Sequence, residues 1–200
     1  YFIDEGNNLN WFNSHKMVIC LLMGIVFITF FIWRGLLGRS VVNFKLFKNF
    51  NFVISCTIVF TFMVAVTLSM AFYATFLQQG YGFPVDIAGY ITAPRGMFAV
   101  LGGVIGGILC TKFDKRIILM VGLLLFSLGC WLETNFGTNW TLSTQLLVCA
   151  VIGLSMSMTF APLMQVAFTG VSKALSNDAG GVFNFFRNIG NSVGTSIAST

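Results

Sequence analysis

Two guanidinium groups stand where charge is expensive. Arg95 and Arg187 each lie inside a run built almost wholly of uncharged residues. A charge at the centre of a hydrocarbon layer costs roughly 2.5–3.5 kcal/mol on insertion scales, so such residues usually face a bundle interior or a watery cavity. There an arginine's rigid fork of donors can hold a carboxylate, tie down carbonyls or set the field felt by a ligand. The bland alternative is that the long side chain snorkels to the nearer interface. Arg95 lies roughly 12 Å along its run at 1.5 Å per residue. Arg187 has polar company in Asn184, Asn188 and Asn191. Gln78 closes one apolar run and Gln165 lies within another. Interior amides either bind ligands or bond to neighbouring helices. Arg95, Arg187, Asn184, Asn188, Gln78 and Gln165 are therefore the candidates for a polar cavity or a coupling site.

Other chemistries find little support. Enzymes embedded in a membrane need clustered His, Asp, Glu or Cys near one face. This sequence has one histidine, His15, and none of its six acids lies inside an apolar run; Asp86 and Glu133 sit at the edges of such runs. Cys20, Cys56, Cys110, Cys130 and Cys149 form no CxxC or metal spacing, which argues against zinc and against a disulfide framework. The run Gly102-Gly-Val-Ile-Gly-Gly107 lacks the strand before it and the Lys-Ser/Thr pair after it that a phosphate loop requires. Its glycines instead suggest helix packing, because small residues let backbones approach where lipid supplies no hydrophobic drive. Gly89, Ala93, Gly96, Gly103 and Gly107 form one seam, with Gly102 and Gly106 as a second pair. Gly190 and Gly194 offer another close-packing site. The packing candidates are Gly96, Gly103, Gly190 and Gly194.

The elements that must carry these residues follow from composition. Charged residues make up 8% of the 200-residue chain and hydrophobic residues 56%, against roughly 25% charged in a soluble domain. No charge occurs from Asn49 to Val85 or from Thr134 to Ser172. Such stretches exceed the roughly 20 apolar residues that cross a bilayer. The expected class is an all-α polytopic membrane protein, with membrane helices over 17–36, 52–78, 87–111, 117–132, 142–170 and 180–200. Residues 1–16 and 37–51 are loops. Strands are not expected, because the runs are continuously apolar rather than alternating. The opening residues lack a signal peptide's basic start, and both ends suggest a piece of a longer protein.

Loop charges predict the orientation. Arg34, Arg39, Lys45 and Lys48 follow the first helix, Lys112, Lys115 and Arg116 the third, and Lys173 the fifth. The loops after the second and fourth helices contain no Lys or Arg. The positive-inside rule puts loops 37–51, 112–116 and 171–179 in the cytoplasm and residues 1–15 outside. The net charge of +5 is thus an orientation signal, not a nucleic-acid footprint.

Several stretches occur in a telling order: Asn10-Trp-Phe-Asn-Ser, Val42-Asn-Phe-Lys-Leu-Phe-Lys-Asn-Phe, Ala88-Gly-Tyr-Ile-Thr-Ala-Pro-Arg-Gly96 and Asn184-Phe-Phe-Arg-Asn-Ile-Gly-Asn-Ser-Val-Gly-Thr-Ser196. Together the chain resembles the EmrB/QacA-type drug:proton antiporters of the major facilitator superfamily. The resemblance implies that the first helix is the eighth of fourteen, a linker, and that the next five open the C-terminal six-helix half. It also identifies a degenerate copy of the superfamily's cytoplasmic gating loop, carried by Gly107, Lys112, Asp114, Lys115 and Arg116. In this copy Thr111 stands at the acidic position and Asp114 at the second glycine. What it implies for function is alternating access: export of hydrophobic or cationic compounds from a bacterial inner membrane, driven by protons rather than by a cofactor. A periplasmic membrane-fusion adaptor and an outer-membrane channel are implied partners in a Gram-negative setting. The coupling carboxylate is expected outside this chain, since no acid falls inside a predicted span. An uptake or siderophore transporter on the same scaffold is the alternative, and an enzyme or structural subunit is less favoured.

Overall fold

The computed structural model describes residues 15–36, 44–134, 141–172 and 175–199. The stretch Asn10–Ser14, most of loop 37–51 and Lys173 lie outside the described residues. The described chain is helical, without strands: α1 (His15–Leu36), α2 (Phe50–Thr75), α3 (Val85–Lys112), α4 (Lys115–Thr134), α5 (Leu142–Ala167) and α6 (Ser176–Ala198). A 3-10 turn, Phe44–Lys48, precedes α2, and a π-helical turn, Phe76–Gly80, extends it. α2 with its π turn, α3, α4 and α5 are each long and apolar enough to cross a membrane. α6 is more polar, with Asp178, Asn184, Arg187, Asn188 and Asn191 along it. A helix stands at each of the six expected places, and four of them qualify by length and composition as membrane spans among the described residues. α4 runs two residues past the expected end at Leu132, whereas α5 stops at Ala167, short of Gly170.

Local chemistry explains the breaks. Gly82 adopts a positive φ of 68°, which a side chain would resist, and turns the chain out of the π segment. Pro84 then caps α3 from an extended conformation. At the next junction Asp114 Oδ1 accepts the Arg116 N–H at 3.0 Å, and the Asp114 carbonyl accepts Ile117 and Ile118 N–H. Asp114 thus starts α4 as its cap. Hydroxyls within the helices bond back to carbonyls one turn earlier, as Thr61, Thr92 and Thr159 do. That satisfies each hydroxyl where neither lipid nor, for the fully buried Thr159, the packed interior offers water.

The chain forms two compact units. In the first, residues 1–68 and 168–200, α6 lies close against α2. A Cβ on Gly190 would stand 2.6 Å from the Phe60 carbonyl oxygen, and one on Gly194 would stand 2.8 Å from Thr67 Cβ. Thr67 Oγ1 and Asn191 Oδ1 are 3.2 Å apart beside this crossing. Asn49 caps α2 through the Asn51 N–H and donates to the Thr169 carbonyl at 3.1 Å.

In the second unit, residues 69–167, α3 and α4 both pack on α5. The seam of α3 is Ala88, Ile91, Arg95, Gly102, Gly106 and Cys110. A Cβ on Gly102 would collide with the Leu154 backbone, and one on Gly106 would meet Met158 Cα at 3.3 Å. Among the described residues, a Cβ on Gly96 or Gly107 would have nothing within 4 Å, and one on Gly103 would meet Ser157 Cβ at 3.9 Å. Among the described residues the expected seam through Gly96 and Gly103 is not the face of α3 that meets α5. It lies one residue, or about 100° of helix, away from the contacting face. Gly102→Ala should therefore cost about 1–3 kcal/mol through overpacking. Gly103→Ala should be neutral or gain up to about 1 kcal/mol from helix propensity. Thermal melting of the full-length variants in detergent checks this contrast, and equal losses would contradict the assigned face.

Candidate functional site

Arg95 is buried, and its partner is an acid that the sequence places outside every span. Nη2 of Arg95 donates to Glu133 Oε1 at 2.9 Å. The same nitrogen donates to Ser69 Oγ at 3.0 Å, and Ser69 donates to Glu133 Oε2 at 2.8 Å. The result is a closed ring of three side chains, with a charge-assisted bond at its centre. The guanidinium carbon also lies 5.9 Å from the centroid of the Tyr73 ring, a cation–π distance. Arg95 Nε has no hydrogen-bond partner among the described residues. The pair's side chains are 6% and 12% exposed, so two opposite charges are held in the core and neutralise each other.

Each helix brings its contribution in register. Ser69 and Tyr73 lie one turn apart near the end of α2. On α4 the buried positions Ile118, Gly122, Phe126 and Gly129 form a stripe, and Glu133 is the next position on it. Its helix continues through Thr134, so the carboxylate is helical and inward rather than at a loop edge. Pro94 precedes Arg95 and gives α3 no amide donor there. Opposite, α5 presents Gly153, whose missing side chain leaves room for the Arg95 carbonyl to touch it. The root of the arginine on α3 is thereby held against α5.

The remaining candidates are distributed differently. Gln78 is exposed on the π turn and Gln165 is half-buried on α5. Asn184 and Asn188 are exposed and Arg187 is half-buried, all on α6 in the other unit. In the expected gating loop, Lys112 ends α3, Arg116 is exposed, and Asp114 caps α4 with Lys115 as its first residue. Asp114 thus has a definite structural task at the position where the motif has glycine. A Cβ on Gly107 would meet nothing within 4 Å among the described residues. The sequence reading missed Glu133, Ser69 and Tyr73.

The sequence model of the Major Facilitator Superfamily matches residues 17–195. The multidrug export protein EmrB of Haemophilus influenzae is 28% identical over 199 residues, covering 98% of this chain and 39% of that protein. The probable multidrug resistance protein EmrY of Escherichia coli K12 is 27% identical over 99% of this chain and 39% of its own length. The fatty acid resistance protein FarB of Neisseria gonorrhoeae is 25% identical over 99% of this chain, again 39% of its own length. The chain thus spans about two-fifths of the length of these curated relatives. Helices fit to cross a membrane and a family match over most of their length agree: this is a multi-pass membrane chain that belongs to the Major Facilitator Superfamily, and its likeness to the EmrB/QacA-type members extends over nearly all of it.

Proposed function

We propose that the full-length protein exports hydrophobic or cationic drugs by alternating access, driven by protons moving down their gradient across a bacterial inner membrane. The observation that carries this reading is the similarity to multidrug export proteins along almost the entire chain. The buried Arg95–Glu133 pair adds to it. Charges inside membrane helices are rare, and they mark ion pathways and proton relays. Rocking of two halves about a central cavity is how this architecture moves cargo.

In the orientation that the basic loops favour, Lys112, Lys115 and Arg116 face the cytoplasm. The Arg95–Glu133–Ser69 ring then lies toward the opposite, outer end of its helices, where protons would enter. Arg187, with Asn184 and Asn188, remains a candidate wall of the cavity. A membrane-fusion adaptor and an outer-membrane channel would complete the route in a Gram-negative cell.

Growth tests the substrate class. Expressing the full-length protein in an exporter-deleted strain should raise tolerance to tetraphenylphosphonium, a lipophilic cation, and to other greasy toxins. Tolerance equal to that of an empty vector for every compound would contradict export. Drug-enhanced sensitivity would favour uptake on the same scaffold.

A further inference from the structure

We propose that Glu133 is a proton-binding carboxylate of the transport cycle and that its protonation releases Arg95. This inference rests on the proton-driven reading above. It also places one coupling group in this part of the protein rather than outside it.

The geometry supplies the parts of a two-state element. Arg95 is the charged group that faces Glu133 among the described residues. Ser69 and Tyr73 approach from α2, Cys130 lies one turn back on α4, and Cys149 stands on α5 beside Tyr73. When Glu133 takes a proton at one carboxylate oxygen, its charge disappears. Arginine keeps its own charge, because it does not deprotonate in proteins. A buried guanidinium without a counter-ion is strongly disfavoured. Arg95 must then find another anion or move toward water. Either move breaks the link between α3 and α4. Loss of the proton restores the link. A ligand that shifts such an equilibrium needs only a differential affinity for the two states, and here the ligand is the proton.

Ser69 suits this exchange, because a hydroxyl both donates and accepts. It now donates to the carboxylate and accepts from Arg95. With Glu133 protonated, its hydroxyl can turn to accept the new acid proton. Glu133 also occupies the penultimate position of α4, at the end remote from Lys115, and is the more exposed member of the pair. The proton therefore meets the acid before it meets the arginine.

Purified full-length protein in lipid provides the test. Infrared difference spectra between mildly acidic and alkaline buffer should show a carboxylic acid C=O band in wild type that is missing in Glu133→Gln. In proteoliposomes the same variant should lose accumulation of tetraphenylphosphonium driven by a proton gradient, yet retain gradient-free exchange of the labelled compound. If Glu133→Gln is too unstable to purify, Arg95→Met combined with Glu133→Gln leaves no buried charge and carries both measurements. A titrating band that survives the loss of Glu133, or gradient-driven accumulation that survives it, overturns the proposal. So does joint loss of drive and exchange in well-folded protein, which would make the pair merely structural. Wild-type protein that moves no probe under either condition contradicts the export reading instead, and the infrared band then decides the case for Glu133.

Discussion

Arg95→Met should be among the most damaging single substitutions in this chain. It keeps the bulk of the side chain but strands the Glu133 carboxylate, which is 12% exposed. Removing one member of a buried ion pair typically costs about 3–5 kcal/mol, because the other charge is left uncompensated. Ser69 still donates to Oε2, but one neutral hydroxyl does not replace a guanidinium. Adding Glu133→Gln should recover most of the loss, since replacing both partners with neutral groups is often close to neutral. Thermal melting of the four forms closes the cycle. Independent, additive losses would mean that the two charges do not interact.

Gly153→Ala should be nearly as damaging, by a different route. The glycine lets the Arg95 carbonyl sit against the α5 backbone, and a Cβ there would also stand 2.8 Å from the Arg95 carbonyl carbon and 2.9 Å from its Cα. Backbone atoms cannot rotate out of the way as a flexible side chain can. The two helices must separate, which costs about 3 kcal/mol, at the upper end of overpacking effects. The guanidinium would move with its root, so loss of the ion pair should accompany loss of stability. Gly107→Ala, where a Cβ would meet nothing within 4 Å among the described residues, is the control and should be tolerated. Equal melting temperatures for Gly153→Ala and Gly107→Ala would contradict the close crossing.

The helices were readable because their apolar runs are long and uninterrupted, and lipid-facing chains need little else to declare themselves. The packing face of α3 was harder. Its glycines offer two overlapping seams, one residue apart, and spacing alone does not choose between them. A usable signal was present. A charge in a membrane helix faces the interior, and Arg95 shares its face with Gly102 and Gly106, not with Gly96 and Gly103. Glu133 was missed for a related reason. Ending α4 at the last apolar residue left the acid outside, although it continues the stripe Ile118, Gly122, Phe126, Gly129. Ser69 and Tyr73 carry no pattern that distinguishes them from other small or aromatic residues of α2. Only the convergence of α2, α3 and α4 in space gives them a role.

Coupling is decided most directly with the full-length protein in sealed proteoliposomes loaded with acidic buffer and diluted into alkaline buffer. Proton exit should drive labelled tetraphenylphosphonium inward against its own gradient, and collapsing the proton gradient should stop it. Accumulation that is unchanged when the gradient is collapsed, or no accumulation by protein that still binds the compound, would contradict proton-driven drug transport.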